Sequence, residues 1–291
     1  RCKVMKLNEI IIRDPFILSD VVTKKYYMYG TTNHYDGLGF YCYVSENLED
    51  WLGPYKVFTP PKDFWGKKDF WAPEVHIYRG EYYMFATFKN DNMCRGCQIL
   101  HSLSPLGPFE VHSKIITPSD WECLDGTLYV NQENKPYMIF CHEWLQINDG
   151  TICAIELSDD LKTAIGEVKL LFHGSDAKWS YNKPIWCDHF VNVTDGPFVY
   201  QKNNINALLW STYGKDGYVI GVAYPKYSFV ENDYIQEEKP LPIISGGHGM
   251  IFTTFDGKDK LVVHVDNDNG GHEHPSIVPL IIKNGKIGIE I

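Results

Sequence analysis

The apolar positions of this chain fall in short runs of β-branched and aromatic residues, broken by Gly, Pro, Asn and Asp, with almost no sustained helical period. That pattern predicts strands from end to end and an all-β fold. The runs also recur in sets. A paired-aromatic strand introduced by a polar turn has five versions: KKYYMYGTT from Lys24, GEYYMFATF from Gly80, NKPYMIFCHEW from Asn134, NALLWSTYG from Asn206 and DKLVVHVDN from Asp259. Successive versions start roughly 55, 55, 70 and 55 residues apart, the scale of a four-stranded propeller blade rather than of a helical solenoid repeat.

Each version is flanked by further runs. RDPFIL, WAPEVHIY, LDGTLYV, TDGPFVY and GHGMIFTTF precede the five, and FYCYVSENLEDW, CQILHSLSPLGPF, TICAIELSDDL and YVIGVAYP follow the first four. The expected architecture is a single five-bladed β-propeller over residues 1–291, with no linker, low-complexity tract or composition shift to begin a second domain. Blade five is the least legible, around HPSIVPLIIKNGKIGIEI, and the N-terminus is a candidate for one of its strands. In a propeller the first strand of every blade lines the central channel, so equivalent strand heads converge on one mouth.

Composition narrows the partners. A formal net charge of −10 with no run of Lys or Arg argues against nucleic acid and anionic membranes, which draw on clustered positive charge. No apolar run approaches the length of a membrane span. Aromatics make up 14% of the chain and often stand beside Gly, Pro, Asp or His, where flat rings suit sugars, although many must fill a β core. Cys42, Cys141 and Cys153 lie inside apolar runs as expected of buried free thiols, and the CRGC pair at Cys94 and Cys97 lacks a second pair to complete a zinc site. This usage favours a reducing, cytoplasmic setting, and a monomer is expected.

Three channel strands carry an acid at the head: Asp14 in RDPF, Asp125 in LDGT and Asp195 in TDGP. Taken singly, each is readily explained as an Asp-Pro or Asp-Gly turn residue. Three in equivalent places point instead to chemistry, because like charges in a partly dry funnel separate in pKa, leaving one acid ionised and another protonated. Hydrolysis of a glycosidic bond needs that division, and the inverting variant sets the two acids about 6.5–9.5 Å apart so that a water fits. Glu143 in CHEW ends the second strand of the blade carrying Asp125 and is a further candidate acid. Glu74 in WAPEV is a candidate ligand for a sugar hydroxyl. Trp71, Trp144, His34 and Phe40 fall at strand heads or in adjoining loops and are candidate sugar contacts, whereas Trp210 is assigned to packing. The long stretches 59–70 and 174–190 are candidates to wall off one end of the channel.

The signatures RDPF, WAPEV, LDGTLYV, TDGPF and GHGM, in this order and at blade spacing, resemble glycoside hydrolase family 43 from about Ile11 to Asn267. The resemblance implies an inverting five-bladed hydrolase of arabinose- or xylose-containing glycans, with Asp14 as general base and Asp125 tuning and orienting the acid. The family has Glu-Gly-Pro at the head of blade four where this chain has Asp195-Gly196-Pro197, one methylene shorter, so the acid is Asp195 or Glu143. His248 in GGHGM stands where family members often hold a central Ca²⁺ or Na⁺ through a histidine and waters. The expected activity is that of an α-L-arabinofuranosidase acting on plant cell-wall polysaccharide or its oligosaccharides, with β-xylosidase or endo-arabinanase as alternatives within the family and a non-catalytic carbohydrate-binding propeller as the alternative outside it.

Overall fold

Polar turns reverse the chain between consecutive apolar runs, so each strand pairs antiparallel with the next and a blade is laid down in sequence order. The protein is described by a computed structural model covering residues 3–32, 38–243, 245–267 and 271–290. Blade one comprises β1 (Lys3–Met5), β2 (Arg13–Asp20), β3 (Lys25–Thr31), β4 (Phe40–Ser45) and β5 (Trp51–Phe58). Blade two is β6 (Lys68–Tyr78), β7 (Glu81–Asn90), β8 (Met93–Ser102) and β9 (Glu110–Ile115). Blade three is β10 (Cys123–Val130), β11 (Pro136–His142), β12 (Thr151–Leu157) and β13 (Ala164–His173). Blade four is β14 (Asp195–Lys202), β15 (Ile205–Gly214), β16 (Gly217–Pro225) and β17 (Tyr234–Gln236). Blade five is β18 (Gly247–Thr253), β19 (Asp259–Val265), β20 (His274–Lys283) and β21 (Lys286–Ile289). The five-bladed propeller is therefore the architecture, and no helix among the described residues is long and apolar enough to cross a membrane.

Blade five completes itself. The N-terminal β1 does not join it, but pairs with β5 at the outer edge of blade one. The fourth strand of blade five is β21, antiparallel to β20. The ring closes instead through the segment ahead of β2: the Ile12 amide donates to the Glu273 carbonyl at 2.9 Å, and His274 Nδ1 meets the Ile10 carbonyl at 2.7 Å.

Every channel strand carries the same irregularity at its signature. Arg13 pairs with Thr31 and Phe16 with Tyr29, so Asp14 and Pro15 together oppose a single residue. The same two-against-one bulge recurs at Ala72-Pro73, Asp125-Gly126, Gly196-Pro197 and His248-Gly249. The first bulge residue is left-handed in all five, with φ of 51° at Asp14, 44° at Ala72, 58° at Asp125, 48° at Gly196 and 48° at His248. The Asp-Pro and Asp-Gly pairs are thus bulge corners that bend the strand and re-aim a side chain. Left-handed backbone costs about 1 kcal/mol or more for a residue with a Cβ, so something must hold it.

Bonds between blades do so. The amides of four of the five bulge residues are each taken by a side chain of the preceding blade, at the place on its second strand that opposes the residue before the bulge. Ala72 donates to Thr31 Oγ1 at 2.8 Å, Asp125 to Thr87 Oγ1 at 2.9 Å, His248 to Ser211 Oγ at 2.8 Å and Asp14 to His264 Nδ1 at 3.2 Å. These links run around the channel and tie its bulges to one another. Outside them lie aromatic cores between the blades, such as Phe40, Phe58, Phe64, Phe70 and Phe88 between blades one and two. Replacing the fully buried Thr87 with Val keeps its shape and leaves the Asp125 amide unpaired; the expected loss is about 1–3 kcal/mol of unfolding free energy in urea titration.

Candidate active site

The bulge register sorts the channel side chains into two tiers. The left-handed tier is Asp14, Ala72, Asp125, Gly196 and His248; the residues just before it are Arg13, Trp71, Leu124, Asp195 and Gly247. Asp195 therefore does not stand in register with the other two acids, as its Asp-Gly-Pro context suggested, but one residue earlier, in the tier of Arg13 and Trp71. Aligning the five signatures on the Pro or Gly that completes each bulge would have shown this.

Both tiers meet at one cavity of about 310 Å³, lined by Arg13, Asp14, Thr31, Trp71, Leu124, Asp125, Trp144, Trp186, Asp195, Tyr218, His248, Gly271 and Glu273. All three aspartates reach it. His248 sits among them, its Nδ1 at 3.1 Å from Asp14 Oδ1 and 3.7 Å from Asp125 Oδ2. A Cβ on Gly196 would lie 2.8 Å from the His248 ring, so the absent side chain in blade four makes room for the imidazole. Gly247 gives way in the same manner to Tyr218, whose hydroxyl donates to Asp195 Oδ2 at 2.9 Å. A larger cavity of about 620 Å³ lies among Phe172, Lys178, Trp179, Gln236 and Glu237 on the outer strands of blades three and four, away from the channel.

The electrostatics separate the acids. Burial by itself raises Asp14, but His248, Arg13, His264 and the Thr31 hydroxyl, which donates to Asp14 Oδ2 at 2.6 Å, together hold it below the usual 3.8. Asp125 is pushed up to about 6, by burial first and then by Asp14 and Glu74, against the pull of His248 and of the Gly196 amide that donates to its Oδ2 at 2.9 Å. Asp195 is pushed well above the carboxylate range by burial and by Asp125. Burial disfavours the charged form of His248, yet Asp14, Asp125 and Asp195 raise it above 6.5. Burial takes His264 down to about 4, so it is neutral, accepting the Asp14 amide at Nδ1 and donating from Nε2 to Asn267 at 2.9 Å. Near neutral pH the cavity holds an ionised Asp14 and one proton on the Asp125–Asp195 pair, carried by Asp195.

Several expected residues stand elsewhere. Phe40 is fully buried against Phe58, Phe70 and Phe88 and cannot touch a ligand, because the aromatic core between blades claims the strand head. Glu74 is buried, bonds His76 Nε2 at 2.9 Å and does not line the cavity. Glu143 does not line it either: it lies buried in an ion pair with Arg95, whose other terminal nitrogen meets Asp69 at 2.9 Å. The Arg95 guanidinium lies 4.5 Å over the Trp71 ring, so Glu143 reaches the cavity only through the tryptophan it helps to hold. His34 falls outside the described residues. Trp71 and Trp144 line the cavity, and Trp210 is fully buried in the core. Of the two long stretches, 174–190 sends Trp186 to the cavity, while 59–70 supplies Phe64 and Phe70 to the core. Nothing in the strand pattern pointed to Tyr218 or Glu273, whereas Trp186 was legible only as part of the long stretch 174–190 and Arg13 as the neighbour of Asp14.

No three His, Cys, Asp or Glu side chains among the described residues are grouped to hold a metal, and His248 Nδ1 faces Asp14. A cation at His248 would therefore take this one imidazole and otherwise waters, as expected of a hard, oxygen-seeking ion, and none enters the chemistry below.

A channel mouth that keeps one carboxylate ionised and another protonated is an acid–base site of the kind that cleaves acetals. Residues 9–287 match the family described as Glycosyl hydrolases family 43, and the chain belongs to that family and is a glycosidase. It is 40% identical to an endo-arabinase from Bacteroides thetaiotaomicron VPI-5482, over 97% of this chain and 98% of that one, with a TM-score of 0.90. An endo-1,4-beta-xylanase from the same bacterium is 23% identical over 99% and 97% of the two chains, with a TM-score of 0.79. An alpha-L-arabinofuranosidase from Lactobacillus brevis is 19% identical over 96% and 95%, with a TM-score of 0.75. The last two share the fold. No curated protein matches the sequence significantly.

Replacing Glu143 with Ala leaves Arg95 with Asp69 alone in a buried place and should cost about 3 kcal/mol in chemical denaturation, with the pH dependence of any turnover unchanged.

Proposed function

We propose that the protein is an inverting hydrolase of arabinose-containing glycans, acting on arabinan chains with an arabinofuranose unit beside Asp14, Asp125 and Asp195. The observation that carries this reading is the meeting of Asp14, Asp125, Asp195 and His248 at one cavity, in surroundings that favour an ionised Asp14 beside His248 and a protonated Asp195 beside Tyr218. Asp14 takes a proton from a water on one face of the sugar; Asp195, steadied by Tyr218, gives its proton to the departing glycosidic oxygen. Asp125 meets both, through His248 and through the Gly196 amide, and keeps the acid's proton from leaving early. Asp195 lines the cavity from the tier of Arg13 and Trp71. Glu143 has no comparable access.

Arabinan is favoured over xylan by the 40% identity to a protein named endo-arabinase, and over a lone terminal arabinose by the shape of the cleft. A second cavity of about 480 Å³, lined by Arg13, Pro184, Ile185, Trp186, Tyr213, Gly271 and Glu273, shares four of these residues with the first. Trp186, 73% exposed, borders both and offers a ring face to a second sugar. This moves the expected single-sugar arabinofuranosidase towards an enzyme that grips a chain, which is the second reading within the family.

Debranched arabinan should be hydrolysed, with release of oligosaccharides resolved by chromatography, faster than para-nitrophenyl arabinofuranoside or xylan; turnover confined to the xylan would reject the arabinan reading. Asp14→Asn should lower kcat/KM about 100- to 10,000-fold on every substrate, whereas Asp195→Asn should recover much of its loss on an aryl glycoside whose leaving group needs no proton. Equal loss on both substrate types would remove Asp195 as the acid.

Activity should fall as pH rises through the raised pKa of Asp195, since its protonated form works, and on the acid side only below the ordinary carboxylate value of 3.8, since Asp14 is held lower. Asp125→Asn removes a repulsion that raises Asp195, so the alkaline limb of the kcat/KM profile should move to lower pH.

A further inference from the structure

The ring of inter-blade bonds has one irregular link. At the place on the second strand where blades one, two and four present Thr31, Thr87 and Ser211, and blade five presents His264, blade three presents Cys141, opposite Leu124. Sulfur is a weak acceptor, and this thiol is fully buried. The amide it would receive, that of Gly196, turns instead to Asp125 Oδ2 at 2.9 Å. Blade one shows the regular arrangement: the Ala72 amide donates to Thr31 Oγ1, and the Thr31 hydroxyl donates to Asp14 Oδ2 at 2.6 Å. In blade one a hydroxyl stands between amide and carboxylate; in blade three the carboxylate meets the amide directly.

We propose that Cys141 is a positioning residue: by withholding the hydroxyl that relays this bond in blade one, it leaves the Gly196 amide to Asp125 and so draws that carboxylate towards blade four and Asp195. The consequence is chemical as well as geometric. Asp125 faces His248, Asp14, Glu74 and Cys97, and Asp195 faces Asp125, His248, Tyr218 and Asp14, with the Cys141 thiol close to both acids. Among these, Asp125 is the largest charge effect holding the proton on Asp195, second only to burial. Drawing the two together strengthens that hold. The inference rests on the acid role of Asp195 for its kinetic consequence, but not for its structural one.

Cys141→Ser is nearly isosteric and supplies the missing hydroxyl. It should accept the Gly196 amide, donate to Asp125 and let that carboxylate withdraw from Asp195. The alkaline limb of the kcat/KM profile on debranched arabinan should then move down by about half a pH unit, about a threefold loss of rate at a fixed pH above the midpoint, with KM changed less than about twofold. Cys141→Ala supplies no acceptor and should keep the wild-type limb while losing stability. A serine variant whose profile overlays the wild type, or an alanine variant that shifts as far as the serine one, overturns the proposal.

Titration of aspartate side-chain carboxyl carbons by NMR, without substrate, reads the same change independently of turnover. Moved Asp195 titration in a protein that hydrolyses no glycan would sustain the positioning role and reject the enzymatic reading; unmoved titration in an active enzyme would do the reverse. Should Cys141→Ser fail to fold, Thr31→Cys makes the converse exchange in blade one. Asp14 should then take the Ala72 amide directly and its titration should shift; an unshifted Asp14 counts against the mechanism.

Discussion

The hydrogen bonds that pass each bulge amide to the neighbouring blade are the constraint on which the site depends. Without a bulge, alternation along a strand would aim Asp14 and Asp125 as an ordinary pleat dictates; with it, each residue is turned left-handed at the channel. Left-handed Asp, Ala and His are each strained, and the strain persists because Thr31, Thr87, Ser211 and His264 take the amides that such a turn frees. Position in the fold and chemistry at the site are therefore one problem: the links that fix the blades relative to one another are the links that aim the acids.

Once five side chains are forced round one axis, their sizes and charges must fit. Blade four contributes Gly196 and blade two contributes Ala72, which leaves the centre to the His248 imidazole. That ring lies within reach of two carboxylates, and its raised pKa provides a positive charge where three acids gather. The cation lets Asp14 remain ionised in a buried place, while Asp195, which has Tyr218 rather than a cation as its direct partner, stays protonated. The asymmetry needed for acid–base catalysis comes from which acid the histidine favours, not from any difference between the aspartates themselves.

The walls of the cavity follow a similar division of labour. Trp71 faces the cavity while Arg95, Glu143 and Asp69 form a buried charged platform behind it, so a residue with an acidic side chain near the mouth serves the site through an aromatic ring. On the opposite side the Arg13–Glu273 ion pair at 2.8 Å joins blade one to blade five where the ring closes, and it also borders both compartments of the cleft. The closure of the propeller and the lining of the cleft thus share residues.

Much of this was legible in the chain. Strand composition, the blade-length repeat and the five signatures carried the all-β class, the propeller and the family, because these depend on local pattern repeated in order. Asp14, Asp125, Asp195, Trp71, Trp144 and His248 were legible as residues of the mouth because each stands at or next to a strand head. Tertiary structure alone decided the rest. It set Asp195 one residue out of register, buried Phe40 between blades, turned Glu143 towards Arg95, brought Trp186 from a loop, Tyr218 from the third strand of blade four and Glu273 from the segment ahead of β20, and completed blade five without β1. The reason is that a strand's own sequence specifies its pairing and its bulge, whereas the partner of a freed amide, the owner of a proton and the occupant of a shared space are set by residues that meet only when the ring is closed.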